Sequence, residues 1–275
     1  MISLLSHRRG RTALLLPACA AVLLAVTASG ILLQDQAAVT DFARLNLSPG
    51  LSHLFGTDWL GRDMLARTLA GLSLSIRIGA LTACVSAALS LLLGVLAALS
   101  RRADAVISWC IDLFLGIPHI LLVMLISLAF GRGFLGVVAG ISLSHWPALA
   151  RVIREEVLQL RRAPYLLAAE RLGVPRLQIV RHHLLPHLLP QFLTGLILQF
   201  PHAILHEASV TFLGFGLSSE QPAIGVILSE SMQYLTTGRW WLALFPGAAL
   251  VGVVLLFAGL GEQVRRLLDP SSVHQ

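Results

Sequence analysis

The sequence predicts an all-α polytopic membrane protein with six transmembrane helices, on the strength of composition, the spacing of apolar runs and the placement of arginine. Of its 275 residues, 56% are hydrophobic and 12% are charged, and the mean hydropathy is +0.80. A water-soluble domain of this length has too little interior to hide so much apolar surface, so lipid must be the solvent for most of it. A bilayer core about 30 Å thick takes roughly 20 apolar residues per helix. Six segments meet that requirement, at about 12–33, 73–99, 106–131, 134–150, 188–213 and 241–261.

Arginine sets the orientation. All 20 basic side chains are arginine, and the chain has no lysine. Fourteen of them fall in the N-terminal tail, the second and fourth loops and the C-terminal tail. Five fall in the first, third and fifth loops, and Arg77 lies inside the second span. Positively charged loops stay in the cytoplasm. Both termini and the segment 151–187 are therefore expected inside, and 34–72 outside. Arg8, Arg9 and Arg11 precede the first span as in a signal peptide. Its apolar run is too long for an h-region and no clear cleavage site follows, so the span reads as uncleaved.

Several function classes drop out. Without lysine the chain carries no ordinary P-loop and no Schiff-base chemistry. The net charge of +6 comes from arginines that flank apolar spans with no aromatic interleaving, which does not fit nucleic-acid binding. Cys19, Cys84 and Cys110 show no CxxC spacing and read as small buried hydrophobes. An intramembrane hydrolase needs a nucleophile–base pair or a metal triad, and none is evident. His206 and Glu207 begin HEASV, which lacks the second histidine of HExxH. A secondary transporter usually shows internal repeats and broken helices. Those two classes stay as remote alternatives.

The long fourth loop has internal structure. Val152, Ile153, Val157 and Leu160 recur at helical spacing among charges, and Pro164 ends or bends that helix. A short helix from Tyr165 to Leu172 then stops at Gly173, a C-cap residue, and Pro175 starts a helix that enters the membrane near Pro186 and Pro190. The stretch YLLAAERLG from Tyr165 to Gly173, with His182 and Pro186 after it, resembles the EAA loop of ABC importer permeases. That resemblance implies a coupling helix docking into an ATPase subunit, carried here by Tyr165, Ala168, Ala169, Glu170, Gly173 and Pro186. The family's acidic residue before the alanine pair is Leu167 in this chain.

On the outer side, Gly56, Thr57, Asp58, Gly61, Arg62, Asp63, Arg67, Gly71 and Ser75 form a pattern similar to one in dipeptide/oligopeptide/nickel permeases. Ala66 and Ser73 stand where that family has serine and arginine. Asp58 is expected to cap a helix starting near Trp59, with Asp63 and Arg67 as an i, i+4 pair on it. The closing Leu268, Asp269 and Pro270 extend the resemblance over roughly 50–270. It divides the chain into a tail and first helix (1–33), a periplasmic segment with an amphipathic helix (34–72), a five-helix type I importer core with the coupling loop (73–265), and a cytoplasmic tail (266–275).

Polar residues inside spans are costly and usually face a cavity or partner. His202 and His206 are four apart and share a helix face, with Glu207 beside them, so these three are candidates for the translocation path. Interhelical hydrogen bonding is the competing use, and no metal site is firmly assigned. His182, His183 and His187 read as solvating a helix end. Trp146, after Ser144 and His145, reads as an interfacial anchor closing the fourth span, and His119 as marking a kink after Pro118. Residues 213–239 read as a Gly- and Ser-rich outer loop. The family resemblance implies a second permease, two ATPase subunits that hold ATP and Mg, an external substrate-binding protein and the inner membrane. No cofactor belongs to this chain. Nickel-type members look most similar, which implies nickel or a metal chelate as cargo, with peptides as the alternative.

Overall fold

A computed structural model describes residues 8–268, and its named elements are all helices. They are α1 (Arg8–Leu32), α2 (Gln34–Ala38), α3 (Met64–Leu99), α4 (Arg101–Gly116), α5 (His119–Ala129), α6 (Phe134–Leu160), α7 (Pro164–Arg171), α8 (Arg176–Ile179), α9 (Leu185–Phe212), α10 (Ile224–Leu235) and α11 (Trp241–Leu268). A 3-10 turn, Phe42–Arg44, precedes α3. Among the described residues, α1, α3, α6, α8–α9 and α11 are long and apolar enough to cross a bilayer, and α4 with α5 qualifies only as a pair. The expected Asp269–Pro270 close lies outside the described residues.

The third span departs most from expectation. Instead of one kinked helix over 106–131, α4 and α5 meet at 105°. Ile117 precedes a proline and is forced into extended backbone, with ψ 137°. Pro118 then opens a new helix whose 11 residues rise only about 17 Å.

Two helices run past their expected ends. Asp63 caps α3, its Oδ1 accepting from Ala66 N–H at 2.9 Å. Residues 64–72 are therefore the first turns of a 36-residue span, and the boundary at 73 and the separate amphipathic helix in 34–72 do not survive. Helix α6 continues to Leu160 because Ala150, Ile153 and Val157 keep its buried stripe against α3. Ser144, His145 and Trp146 thus lie mid-helix. Trp146 is 6% exposed, sits edge-on to Phe114 at 5.7 Å, and its carbonyl accepts from Ser90 Oγ at 2.9 Å, so it is a packing residue and not an interfacial anchor. The outer loop 213–239 likewise contains α10, whose Ile224, Val226 and Ile227 are buried. Cys84 is exposed and Cys19 and Cys110 are half-buried, against the expectation of three buried thiols.

Helix α3 is the spine. At Gly94 a Cβ would stand 2.8 Å from Ala150 O, so the backbones of α3 and α6 touch there. One apolar cluster joins Leu72 and Ile76 to Ile204, Ile224, Ile227 and Leu242; another, at the opposite end, joins Val95 to Leu149, Ile153, Val157, Leu166 and Leu184. The two ends are distinct. Gly133 N–H donates to Gly216 O at 3.0 Å, joining the third and fifth loops, and Arg67 reaches Glu230 at 3.0 Å, bringing in the first. The fourth loop lies at the other end, where Arg161 Nη1 donates to Ala98 O at 2.6 Å and satisfies a carbonyl of the last turn of α3.

Candidate functional site

The outer motif folds into a buried clasp. Asp58 is 0% exposed. Its Oδ1 accepts from Leu60 N–H and Arg62 N–H, both at 2.9 Å. Its Oδ2 accepts from Arg62 Nε at 2.7 Å and Arg67 Nη1 at 2.6 Å. Arg67 is 2% exposed and also holds Glu230 of α10. Trp59 stacks on Tyr234 at 4.7 Å, with the Arg62 and Arg67 guanidinium groups 5.4 and 5.7 Å from its ring. Thr57 Oγ1 donates to Arg44 O and accepts from Leu47 N–H. Gly56 and Gly61 have φ of 72°, and a Cβ on Gly61 would lie 1.8 Å from Asp41 O. Two expectations are corrected here. Asp58 organises a loop and caps no helix, because the helix starts six residues later. Asp63 and Arg67 do not pair: Asp63 bonds His53 Nδ1 at 2.8 Å, and Arg67 turns to Asp58 and Glu230.

The cytoplasmic motif folds the opposite way. Pro164 occupies the first turn of α7, where its missing N–H costs nothing. The helix closes in a Schellman motif: Val174 N–H donates to Ala169 O and Gly173 N–H to Glu170 O, both at 3.1 Å, with Gly173 at φ +79°. Leu166 and the half-buried Ala169 face the apolar cluster beneath, whereas Tyr165, Leu167, Ala168, Glu170, Arg171 and Leu172 are exposed. Leu172 is 84% exposed and Leu177 79%. Spacing alone does not single out these two leucines. Ala168 is on the exposed face and Ala169 is not, so only one of the alanine pair packs against the cluster beneath.

Beyond α7 the chain re-enters the membrane through a π turn, Val180–Leu184, in which Leu185 N–H donates to Val180 O. Pro186 has no N–H for the carbonyl four residues back, and the widened turn just before it absorbs that loss. Pro186 is thus a shaping residue beneath α7. His182, His183 and His187 are exposed, and His187 Nε2 lies 3.4 Å from Glu156.

The candidate path residues separate. Glu207 is buried, and its Oε1 accepts from Thr211 Oγ1 one turn along the same helix at 3.0 Å, so it packs inside the bundle and not on an exposed face of α9. His202 is exposed, and it meets His206 through its carbonyl, which accepts from His206 Nδ1 at 2.7 Å. The His206 ring turns instead to His119 and His145, at centroid separations of 4.5 and 5.0 Å. These three come from three helices, and no local pattern connects them. On the outer side, Arg132, Thr211, Ser218, Ser229 and Glu230 help line a cavity of about 440 Å³.

Residues 90–273 match the family described as binding-protein-dependent transport system inner membrane component. The chain is 37% identical over 222 residues to a putative peptide transport system permease protein of Brucella suis biovar 1 (strain 1330), covering 81% of this chain and 75% of that protein. It is 33% identical to the probable D,D-dipeptide transport system permease protein DdpC of Escherichia coli (strain K12), over 86% and 80%. It is 30% identical to the dipeptide transport system permease protein DppC of Bacillus subtilis (strain 168), over 82% and 71%. Among solved structures, an inward-facing form of the methionine ABC transporter MetNI superposes with a TM-score of 0.61 at 21% identity, over 75% of this chain and 98% of that one. An amino acid ABC transporter superposes at 0.57 and 19%, over 74% and 94%. At these identities the superpositions speak for the fold.

Proposed function

Because this chain belongs to the family of binding-protein-dependent transport system inner-membrane components, it is a permease subunit of an ABC importer, and we propose that its cargo is a short peptide. The names of its relatives support that cargo: all three refer to peptides or dipeptides. Nickel or a metal chelate, expected from the resemblance to nickel-type permeases, has no support among them.

The observation that carries the mechanism is α7. It is a short helix stiffened at both ends, anchored by Leu166 and Ala169, with Tyr165, Leu167, Ala168 and Leu172 left exposed by the described residues. Such a helix transmits force only if something grips it, and a partner ATPase supplies the grip. Lacking lysine, the chain leaves ATP and Mg to that partner. Rigid-body motion of α7 passes to α6 and α9, which flank it in sequence, and tilts them between inward- and outward-open arrangements. On α9, His202 and Ser209 are exposed on either side of His206, and polar groups at this depth favour an aqueous path or a second permease over lipid. The outer cavity faces the side where a substrate-binding protein delivers cargo. The arginine asymmetry puts α7 and both termini in the cytoplasm.

The test is uptake of a radiolabelled dipeptide and of radiolabelled nickel by cells lacking the gene for this chain and by the complemented strain. Loss of dipeptide uptake, restored on complementation, is expected. Intact dipeptide uptake with lost nickel uptake would overturn the peptide assignment in favour of nickel.

A further inference from the structure

His119 opens α5 directly after the 105° break, His145 lies in mid-α6, and His206 lies near the outer end of α9. At 1.5 Å per residue, His145 is about 16 Å into α6 and His206 about 9 Å from the end of α9. The cluster is therefore at bilayer depth. Its three rings are mutually near-perpendicular, each pair at 86°, with centroids 4.5, 4.5 and 5.0 Å apart. One ring nitrogen from each falls within 4.8 Å of the others.

The hydrogen bonds decide which nitrogens are free. His145 Nδ1 faces Ile141 O at 2.9 Å and His206 Nδ1 faces His202 O at 2.7 Å. A carbonyl only accepts, so both Nδ1 atoms carry the proton and both Nε2 atoms present lone pairs. Backbone carbonyls that fix the tautomer in this way are what metal-ligating histidines usually have behind them. The Nε2 atoms of His119 and His145 are buried and have no hydrogen-bond partner. Buried polar atoms are seldom left so, and three clustered imidazoles have no acid among them to pair with.

We infer that His119, His145 and His206 form a three-histidine site for a divalent transition-metal ion, bound through imidazole nitrogens between α5, α6 and α9. Zinc–nitrogen distances of about 2.0–2.1 Å require the three nitrogens to close by about an ångström each, within reach of side-chain rotation. Three neutral nitrogens select borderline ions such as Zn²⁺, Co²⁺, Ni²⁺ or Cu²⁺ over Mg²⁺ and Ca²⁺. Three protein ligands leave a coordination position open. An ion here ties α5 to α6 and α9 across the break, whatever the importer carries.

The test titrates the full-length chain in lipid nanodiscs with cobalt(II) chloride, following the visible d–d bands of nitrogen-bound cobalt, and then competes with zinc(II). Saturable binding is expected in the wild type, weakened at least about tenfold by His119→Ala or His145→Ala. A His182→Ala/His183→Ala/His187→Ala variant should bind as wild type. Zinc should raise the Tm of the wild type and of that triple variant, but not of His206→Gln, which keeps a polar side chain should alanine fail to accumulate. No saturable cobalt binding by the wild type, or binding that survives substitution of the triad, overturns the site. Neither outcome bears on dipeptide uptake, so the two proposals fail separately.

Discussion

The outer clasp and the α7 segment both carry motifs rich in glycine and charge, yet they spend those residues in opposite ways. In the clasp, Asp58, Arg62 and Arg67 bond one another and Glu230, and the motif is consumed inside the chain. In α7 the motif is half outward: Leu166 and Ala169 hold the helix down while Tyr165, Ala168 and Leu172 are exposed, Tyr165 with only the His183 ring 6.1 Å away. A recurrent sequence pattern therefore marks two physical roles. One ties the first loop to α10, and the other leaves a helix face exposed. Burial tells them apart, and residue type does not.

Breaking the clasp should have the largest effect on stability. Arg67→Ala leaves Asp58 and Glu230 with Arg62 alone as their shared cation, and removing one partner from a buried ion pair costs up to about 3–5 kcal/mol. A large fall in Tm of the purified chain and in its level in the membrane is expected. An unchanged Tm would mean that the clasp is ornamental to folding.

The glycine that ends α7 should cost less. A Cβ at Gly173 meets nothing within 4 Å, so Gly173→Ala pays only for holding an L-residue at φ +79°, about 1–2 kcal/mol. The chain should still accumulate, with a modest drop in Tm and weaker stimulation of ATP hydrolysis in the assembled importer. A collapse as deep as that of Arg67→Ala would put α7 in the same structural class as the clasp.

Leu172→Asp should have the smallest effect on stability and sharpens the contrast most. At 84% exposure the leucine contributes little to packing, so the stability should stay within about 0.5 kcal/mol of the wild type and the Tm should hardly move. Copurification of the ATPase should nonetheless fall, because a charge replaces the most protruding apolar group of the docking face. Full retention of the ATPase would remove Leu172 from that face.

Sequence by itself determined the membrane class, the arginine asymmetry and the α7 segment with its Pro164 start and Gly173 stop, because hydropathy, charge and capping are local or additive along the chain. It also carried the family, through two motifs of contiguous residues. What tertiary structure alone decided are pairings across long sequence distances. Asp63 and Arg67 look like partners at four residues' spacing, yet Arg67 is claimed by Glu230 and by Asp58, whose fully buried carboxylate needs the charge more. His202 and His206 look like a pair, yet the helix turns the His206 ring toward His119 and His145, which no periodicity connects to it. The break at Ile117 and Pro118 is legible as a kink, but its 105° angle is set by what α5 packs against. Local chemistry limits which conformations a segment can adopt. Which side chains then meet depends on the burial of groups distant in sequence, and that is decided only when the helices come together.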